Sequence, residues 1–176
     1  MMPSAEEWLG NEDSRCWDDR LQRLKWVLEE YPNIDITLFR GGIKSYYLFE
    51  EARYCFVYGQ YIASTMLSLS YIENTLGSFF YATGRNDLKR ARIADLLKEA
   101  QKEGLISERE FILFDKVRKI RNPITHFRKP LDRETFEYKA LESDRHPYEV
   151  LEEDAKVALK ANFRMMEIFS IREHEN

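Results

Sequence analysis

Residues 45–81 read SYYLFEEARYCFVYGQYIASTMLSLSYIENTLGSFFY, and their reading decides the fold. Apolar residues recur at helical spacing throughout, but globular helices usually run to about 20 residues, so one straight helix is too long. Gly59 is the natural break. It predicts two helices, SYYLFEEARYCFVY and QYIASTMLSLSYIENTLGSFFYA, in a hairpin, with a single kinked helix as the alternative.

Upstream, Trp17, Leu21, Leu24, Leu28 and Tyr31 are spaced by four, three, four and three, the stripe of an amphipathic helix that Pro32 ends. NIDITLFRGG, residues 33–42, reads as a loop with a brief extended piece. Downstream, DLKRARIADLLKEAQKEG is a helix with Asp87 at its start and Gly104 at its end. Ser107 and Glu110 fit a capping box for the next helix, with Ile106 and Phe111 as a hydrophobic staple and Phe114, Val117 and Ile120 in its body. Residues 130–146 are polar and irregular. The last helix spans Pro147 to Phe169, with Leu151, Ala155, Ala158, Asn162, Met165 and Phe169 along one side. The expectation is an all-α bundle of five or six helices in a single domain, 1–176, in which 60–82 and 147–169 supply the main core faces.

Composition agrees. With 176 residues, 44% hydrophobic and 33% charged, the chain belongs among folded proteins rather than disordered ones. The start lacks the basic and apolar regions of a signal peptide, and Glu73 and Asn74 interrupt the most apolar stretch, so no membrane span is expected and cytoplasm is the default location. Cys16 and Cys55 form neither a disulfide framework nor a metal pattern, and no cofactor or metal is implied. His146 and His174 read as surface residues, His146 with a minor option as a helix cap.

RKIRNPITHFRKP, residues 118–130, stands out against a formal net charge of -4. From Lys116 to Lys129 there are six Lys or Arg residues and no acid, whereas 130–176 hold twelve acids and seven bases. A local cationic patch on an acidic chain implies a specific anionic contact; the plainer alternative is a solvated turn. Asn122 before Pro123 predicts that the helix ends near Arg121 and a new turn begins at once. On a straight helix Arg121 and His126 would point about 140° apart, so a bend is needed for both to face one pocket. Asn122 and His126, four apart, already can.

Arginine suits phosphate oxygens, and histidine exchanges protons near its unperturbed pKa of about 6.5. A phosphodiester with a 2'-hydroxyl nucleophile needs both: proton transfer at the hydroxyl and the leaving 5'-oxygen, and donors for the crowded anion.

IRNPITH resembles the Arg, polar residue, then His motif of the HEPN (higher eukaryote and prokaryote nucleotide-binding) superfamily. YGQYIASTMLSLSYIENTL is similar to that family's earlier helix after a glycine turn, and EEDAKVALKANFRMMEIF to its closing helix. The resemblance covers about 45–170 and leaves 1–44 as an N-terminal extension. It implies Arg121 as the phosphate-contacting arginine, Asn122 as the adjacent polar residue, His126 as the histidine of cleavage and Glu73 as the acid that orients the arginine. Lys116, Arg118, Lys119, Arg128 and Lys129 would then contact RNA. The implied activity is a metal-independent endoribonuclease in toxin-antitoxin, phage-defence or RNA-processing systems, acting as a homodimer whose two motifs line a cleft, with an antitoxin or other regulatory protein as a possible partner. Some family members only bind RNA, nucleotides or proteins, which keeps a non-catalytic alternative open. Pro123 inside the motif is a departure. Glu73, near the apolar face, is either paired with a base such as Arg121 or a boundary residue reaching water. The tyrosines of 46–61 suit a dimer interface better than a base-stacking surface.

Overall fold

The Gly59 break is present. Gly59 takes a left-handed φ of 75° between α2 (Gly42–Val57) and α3 (Tyr61–Ala82), a conformation open to glycine at no steric cost. The hydroxyl of Tyr148 donates a 2.6 Å hydrogen bond to the Gly59 carbonyl and fixes the turn. The structure is a computed structural model that describes residues 3–32 and 38–170. Besides α2 and α3 it contains α1 (Ala5–Glu30), α4 (Ile93–Lys102), α5 (Glu108–Thr125), α6 (Phe136–Glu142) and α7 (Pro147–Phe169). The fold is an all-helical bundle, with seven α-helices among the described residues. The expected extended piece at 33–42 lies largely outside them.

The core forms around α3, which packs against α2 and α7 and also meets α4 and α5. Phe49 and Phe56 of α2, Leu69, Ile72, Leu76 and Phe80 of α3, Phe114 of α5 and Leu159, Met165 and Met166 of α7 are fully buried. Both segments expected to supply the main core faces do so. Both helices bury small residues: Ser64, Thr65, Ser68 and Thr75 on α3, and Ala155, Ala158 and Ala161 on α7. The Asn162 amide donates to Ser68 Oγ at 3.1 Å between them.

Four local expectations are corrected. First, α1 begins at Ala5, twelve residues before Trp17, because Ser4 and Glu7 form a capping box. Of its stripe Tyr31 packs on the core, against Phe49 and Phe163, but the residues before it do not turn fully inward. Trp17 and Leu28 are 63% and 62% exposed, and among described α1 residues Val27 alone is fully buried. The inward face is held instead by Trp26 and Val27 together with charged side chains that a hydrophobic pattern cannot register. Arg23 donates to the Val57 carbonyl at 2.9 Å, Trp26 lies 5.0 Å from the Phe56 ring, and Glu30 pairs with Lys160 at 2.7 Å.

Second, Asp87 does not cap α4. It belongs to a 3₁₀ turn, Asn86–Leu88, and its carboxylate accepts from Arg85 at 2.8 Å. Arg85 also holds Glu99 and Glu103, which spans the connection with charge.

Third, α5 does not end at Arg121 but continues through Pro123 to Thr125. A proline inside a helix forfeits the hydrogen bond to the carbonyl four residues back. Here only the last turn follows it. That turn is closed by the His126 N–H donating to the Asn122 carbonyl at 3.0 Å and by Thr125 Oγ1 donating to the Arg121 carbonyl at 3.3 Å.

Fourth, residues 130–146 contain α6, capped by Thr135, whose hydroxyl accepts from the Tyr138 N–H at 3.3 Å. The helix is short and buries only Ala140 fully among its residues, so its periodicity is weak.

Candidate functional site

The start of α5 is pinned before its end can be positioned. Ser107 and Glu110 form the expected capping box, and Arg164 of α7 reaches Glu110 Oε1 with Nε at 2.7 Å. Phe114, Val117 and Ile120 bury one side of the helix. The opposite side carries the charge, and the final turn emerges at the surface.

Arg121, half-buried, donates from Nη1 to Thr125 Oγ1 at 3.3 Å, so its guanidinium points along the helix toward the C-terminal end. His126 follows directly as the C-cap, extended and exposed, and its imidazole has no hydrogen-bond partner among the described residues. It lies on the rim of a groove of about 470 Å³ bordered by Pro123, Thr125, Arg128, Lys129, Thr135 and Glu137. Phe127, 89% exposed, projects beside it. Asn122 is half-buried and does not line this groove.

The cationic residues divide into two groups. Asp115 takes Arg118 at 2.6 Å and Lys119 at 2.8 Å. Burial alone would raise the Asp115 carboxyl, but those two hydrogen bonds outweigh it and hold the group below the usual carboxylate range. Arg128 pairs with Glu134 at 3.1 Å. Lys116 and Lys129 are exposed and make no ion pair among the described residues. The local positive field is therefore partly neutralised from within the chain.

Glu73, like Arg121, does not line the groove beside His126. It lines a separate groove of about 590 Å³ with Lys44, Asn74, Ser78, Tyr81 and Lys89, and it forms no ion pair with Arg121. The expected Glu73–Arg121 pair is corrected for a physical reason: a half-buried carboxylate at a groove edge stays hydrated and needs no partner base. Thr125, Asp115 and Glu134 were missed in the sequence. The hydroxyl four residues after Arg121 was the available signal for Thr125, since that spacing makes helical neighbours.

A third polar region joins α1, α3 and α7. Tyr61 donates to Glu152 at 2.7 Å, Lys156 pairs with Glu152 at 2.7 Å, and Arg23 donates to Tyr61 at 3.3 Å beside a cavity of about 370 Å³. Burial, then the Glu152 acceptor and its charge, push the Tyr61 phenol well up. These groups satisfy one another and tie the helices together.

The histidine at the start of α7, His146, is a helix cap: its Nδ1 accepts from the Tyr148 N–H at 3.2 Å. His174 lies outside the described residues. Among the described residues no three His, Cys, Asp or Glu side chains are grouped to hold a metal ion, and no helix is long and apolar enough to cross a membrane. No family model matches the sequence, and neither a curated protein nor a solved structure matches it.

Proposed function

We propose that the end of α5 receives an RNA phosphodiester and that the protein is a metal-independent, HEPN-type endoribonuclease. The observation that carries this reading is the Arg121–Thr125 hydrogen bond, which directs a guanidinium toward the residue next to an exposed, unpartnered His126. In the proposed reaction His126 Nε2 or Nδ1 takes the proton of the 2'-hydroxyl, and the 2'-oxygen attacks the adjacent phosphorus. The bond from phosphorus to the 5'-oxygen then breaks, and the imidazolium returns its proton to that oxygen. Arg121 supplies donors to the anionic phosphorane. The products are a 2',3'-cyclic phosphate and a 5'-hydroxyl end. Lys116 and Lys129 are the free cations for flanking phosphates, whereas Arg118, Lys119 and Arg128 must first exchange their own carboxylates.

Single-stranded RNA incubated with the protein in EDTA tests the reading, alongside the same sequence with every 2'-hydroxyl replaced by hydrogen. Cleavage of the first and survival of the second is expected, because only the first carries the nucleophile. Cleavage of both, or cleavage unchanged in His126→Ala, would overturn it.

The second reading is a non-catalytic module that binds RNA, a nucleotide or a protein. It is favoured by the internal pairing of Arg118, Lys119 and Arg128 and by the lack of an ion pair between Glu73 and Arg121. RNA binding without cleavage would select it.

A further inference from the structure

Four residues of the apolar stripe of α1 are left largely uncovered by the described residues. Trp17, Leu21, Leu24 and Leu28 are 63%, 38%, 39% and 62% exposed. Beside them α1 and the end of α2 enclose a shallow hollow of about 340 Å³ walled by Leu21, Leu24, Val57 and Tyr58. A large aromatic and three leucines in one row on the surface mark an interaction site rather than scattered exposure.

The spacing identifies the occupant. Four, three, four reads the same in both directions, so an antiparallel second copy meets every apolar position with another. About a two-fold axis between residues 22 and 23, Trp17 faces Leu28 of the second copy and Leu21 faces its Leu24. Such a self-complementary patch closes on itself. The residues that follow Trp17 and Leu24 are Asp18 and Lys25, both exposed and making no ion pair within the described chain. Antiparallel pairing sets Asp18 of each copy beside Lys25 of the other, whereas parallel pairing brings Lys25 toward Arg20 of the second copy, cation against cation. A lipid surface fits poorly, because α1 carries eight acidic and four basic residues and anionic membranes attract the opposite sign.

We infer that the protein forms a two-fold dimer through antiparallel pairing of α1 along Trp17, Leu21, Leu24 and Leu28, with reciprocal Asp18–Lys25 contacts. This differs from the expected meeting of two 121–126 motifs. It goes beyond the ribonuclease reading and stands apart from it, since α5 packs on α3, α4 and α7 while α1 packs on α2.

The test is sedimentation velocity on the full chain from about 1 to about 100 μM, where modest interfaces are populated. The unaltered protein should be dimeric in the upper part of that range. Leu28→Asp should leave it monomeric with unchanged helical circular dichroism. Asp18→Lys alone and Lys25→Asp alone should each raise the dissociation constant about tenfold, from two weak surface pairs lost and two repulsions gained. The double exchange should return it to within about twofold of the original. A monomer throughout overturns the inference, as does a monomer that co-sediments with phosphatidylserine vesicles. A dimer indifferent to Leu28→Asp, or a double exchange weaker than either single one, would also overturn it. None of these variants touches Arg121 or His126, so RNA cleavage by the same samples is read separately.

Discussion

Arg164 and Glu110 join the last helix to the start of α5: Nε and Nη2 of Arg164 lie 2.7 and 2.5 Å from one oxygen of Glu110, while the other oxygen accepts the Ser107 N–H at 2.6 Å. One carboxylate therefore caps α5 and ties it to α7. Burial by itself would raise this carboxyl, but the Ser107 N–H and Arg164 outweigh it and hold it below its ordinary value.

Glu110→Gln should cost about 1 to 2 kcal/mol, the sum of a weakened cap and a half-exposed ion pair. Because the folded-state value is depressed, the contribution is complete above the ordinary glutamate pKa of about 4.3 and drains away as pH falls toward the folded-state value. Urea unfolding from pH 7 down to pH 3 should show a smaller acid loss in Glu110→Gln than in the parent protein. Equal losses would show that the pairing carries no stability.

Tyr61→Phe should destabilise by about 1 kcal/mol, since it removes a hydrogen bond to a charged acceptor while Lys156 still holds Glu152. Glu152→Ala should cost more, because it leaves both the Tyr61 hydroxyl and Lys156 without their anion. A double-mutant cycle measured by urea unfolding should return a coupling of about 1 kcal/mol, and zero coupling would make the 2.7 Å contact energetically idle.

At the α2–α3 turn, an alanine at Gly59 would have to adopt φ 75° and would place its Cβ 2.6 Å from Tyr148 Oη. Gly59→Ala should cost about 1 to 2 kcal/mol from left-handed strain alone and more from the collision. Introducing Tyr148→Phe first should shrink that penalty, as read by thermal unfolding of the four proteins in the cycle. A penalty that stays constant would place the whole effect in the backbone.

His126→Ala should abolish RNA cleavage while retaining most RNA binding, and Arg121→Ala should reduce both. Thr125→Val, which removes the acceptor that aims Arg121 together with the hydroxyl's own bond to the Arg121 carbonyl, should lower the cleavage rate several-fold. Removing Lys116 or Lys129 should flatten the dependence of log affinity on log salt by about 0.7 each, the value for one single-strand phosphate contact. Filter binding at several salt concentrations together with single-turnover cleavage separates these effects.

Where the sequence carried local chemistry, it was readable. The Ser107–Glu110 cap, the Gly59 break and the Pro147 start of α7 each depend on a few adjacent residues, and each is where the spacing put it. Pro123 misled because the preference against helix before proline is local, while the last turn of α5 has its ends closed by Thr125 and His126. The α1 stripe misled for a different reason. Apolar periodicity identifies a face to be covered but not what covers it, and here arginine, tryptophan and glutamate hold the helix to the bundle. Arg121 and His126 do share the end of one helix, yet that Glu73 lines another groove and forms no ion pair with Arg121 depends on tertiary packing that no spacing within α3 encodes.

Asn162 acts as an index pin. Sliding α7 along α3 by one turn, about 5.4 Å, would in one direction set its amide against Ile72, which offers no acceptor. That misalignment strands a buried amide, at a cost of about 1 to 3 kcal/mol. Tyr148 at the Gly59 turn and Arg164 at the α5 cap sit sixteen residues apart on that indexed helix, roughly 24 Å. The helix therefore serves as a fixed-length gauge between the two junctions, and a disturbance at one reaches the other as a tilt of the whole rod rather than as a glide along its groove.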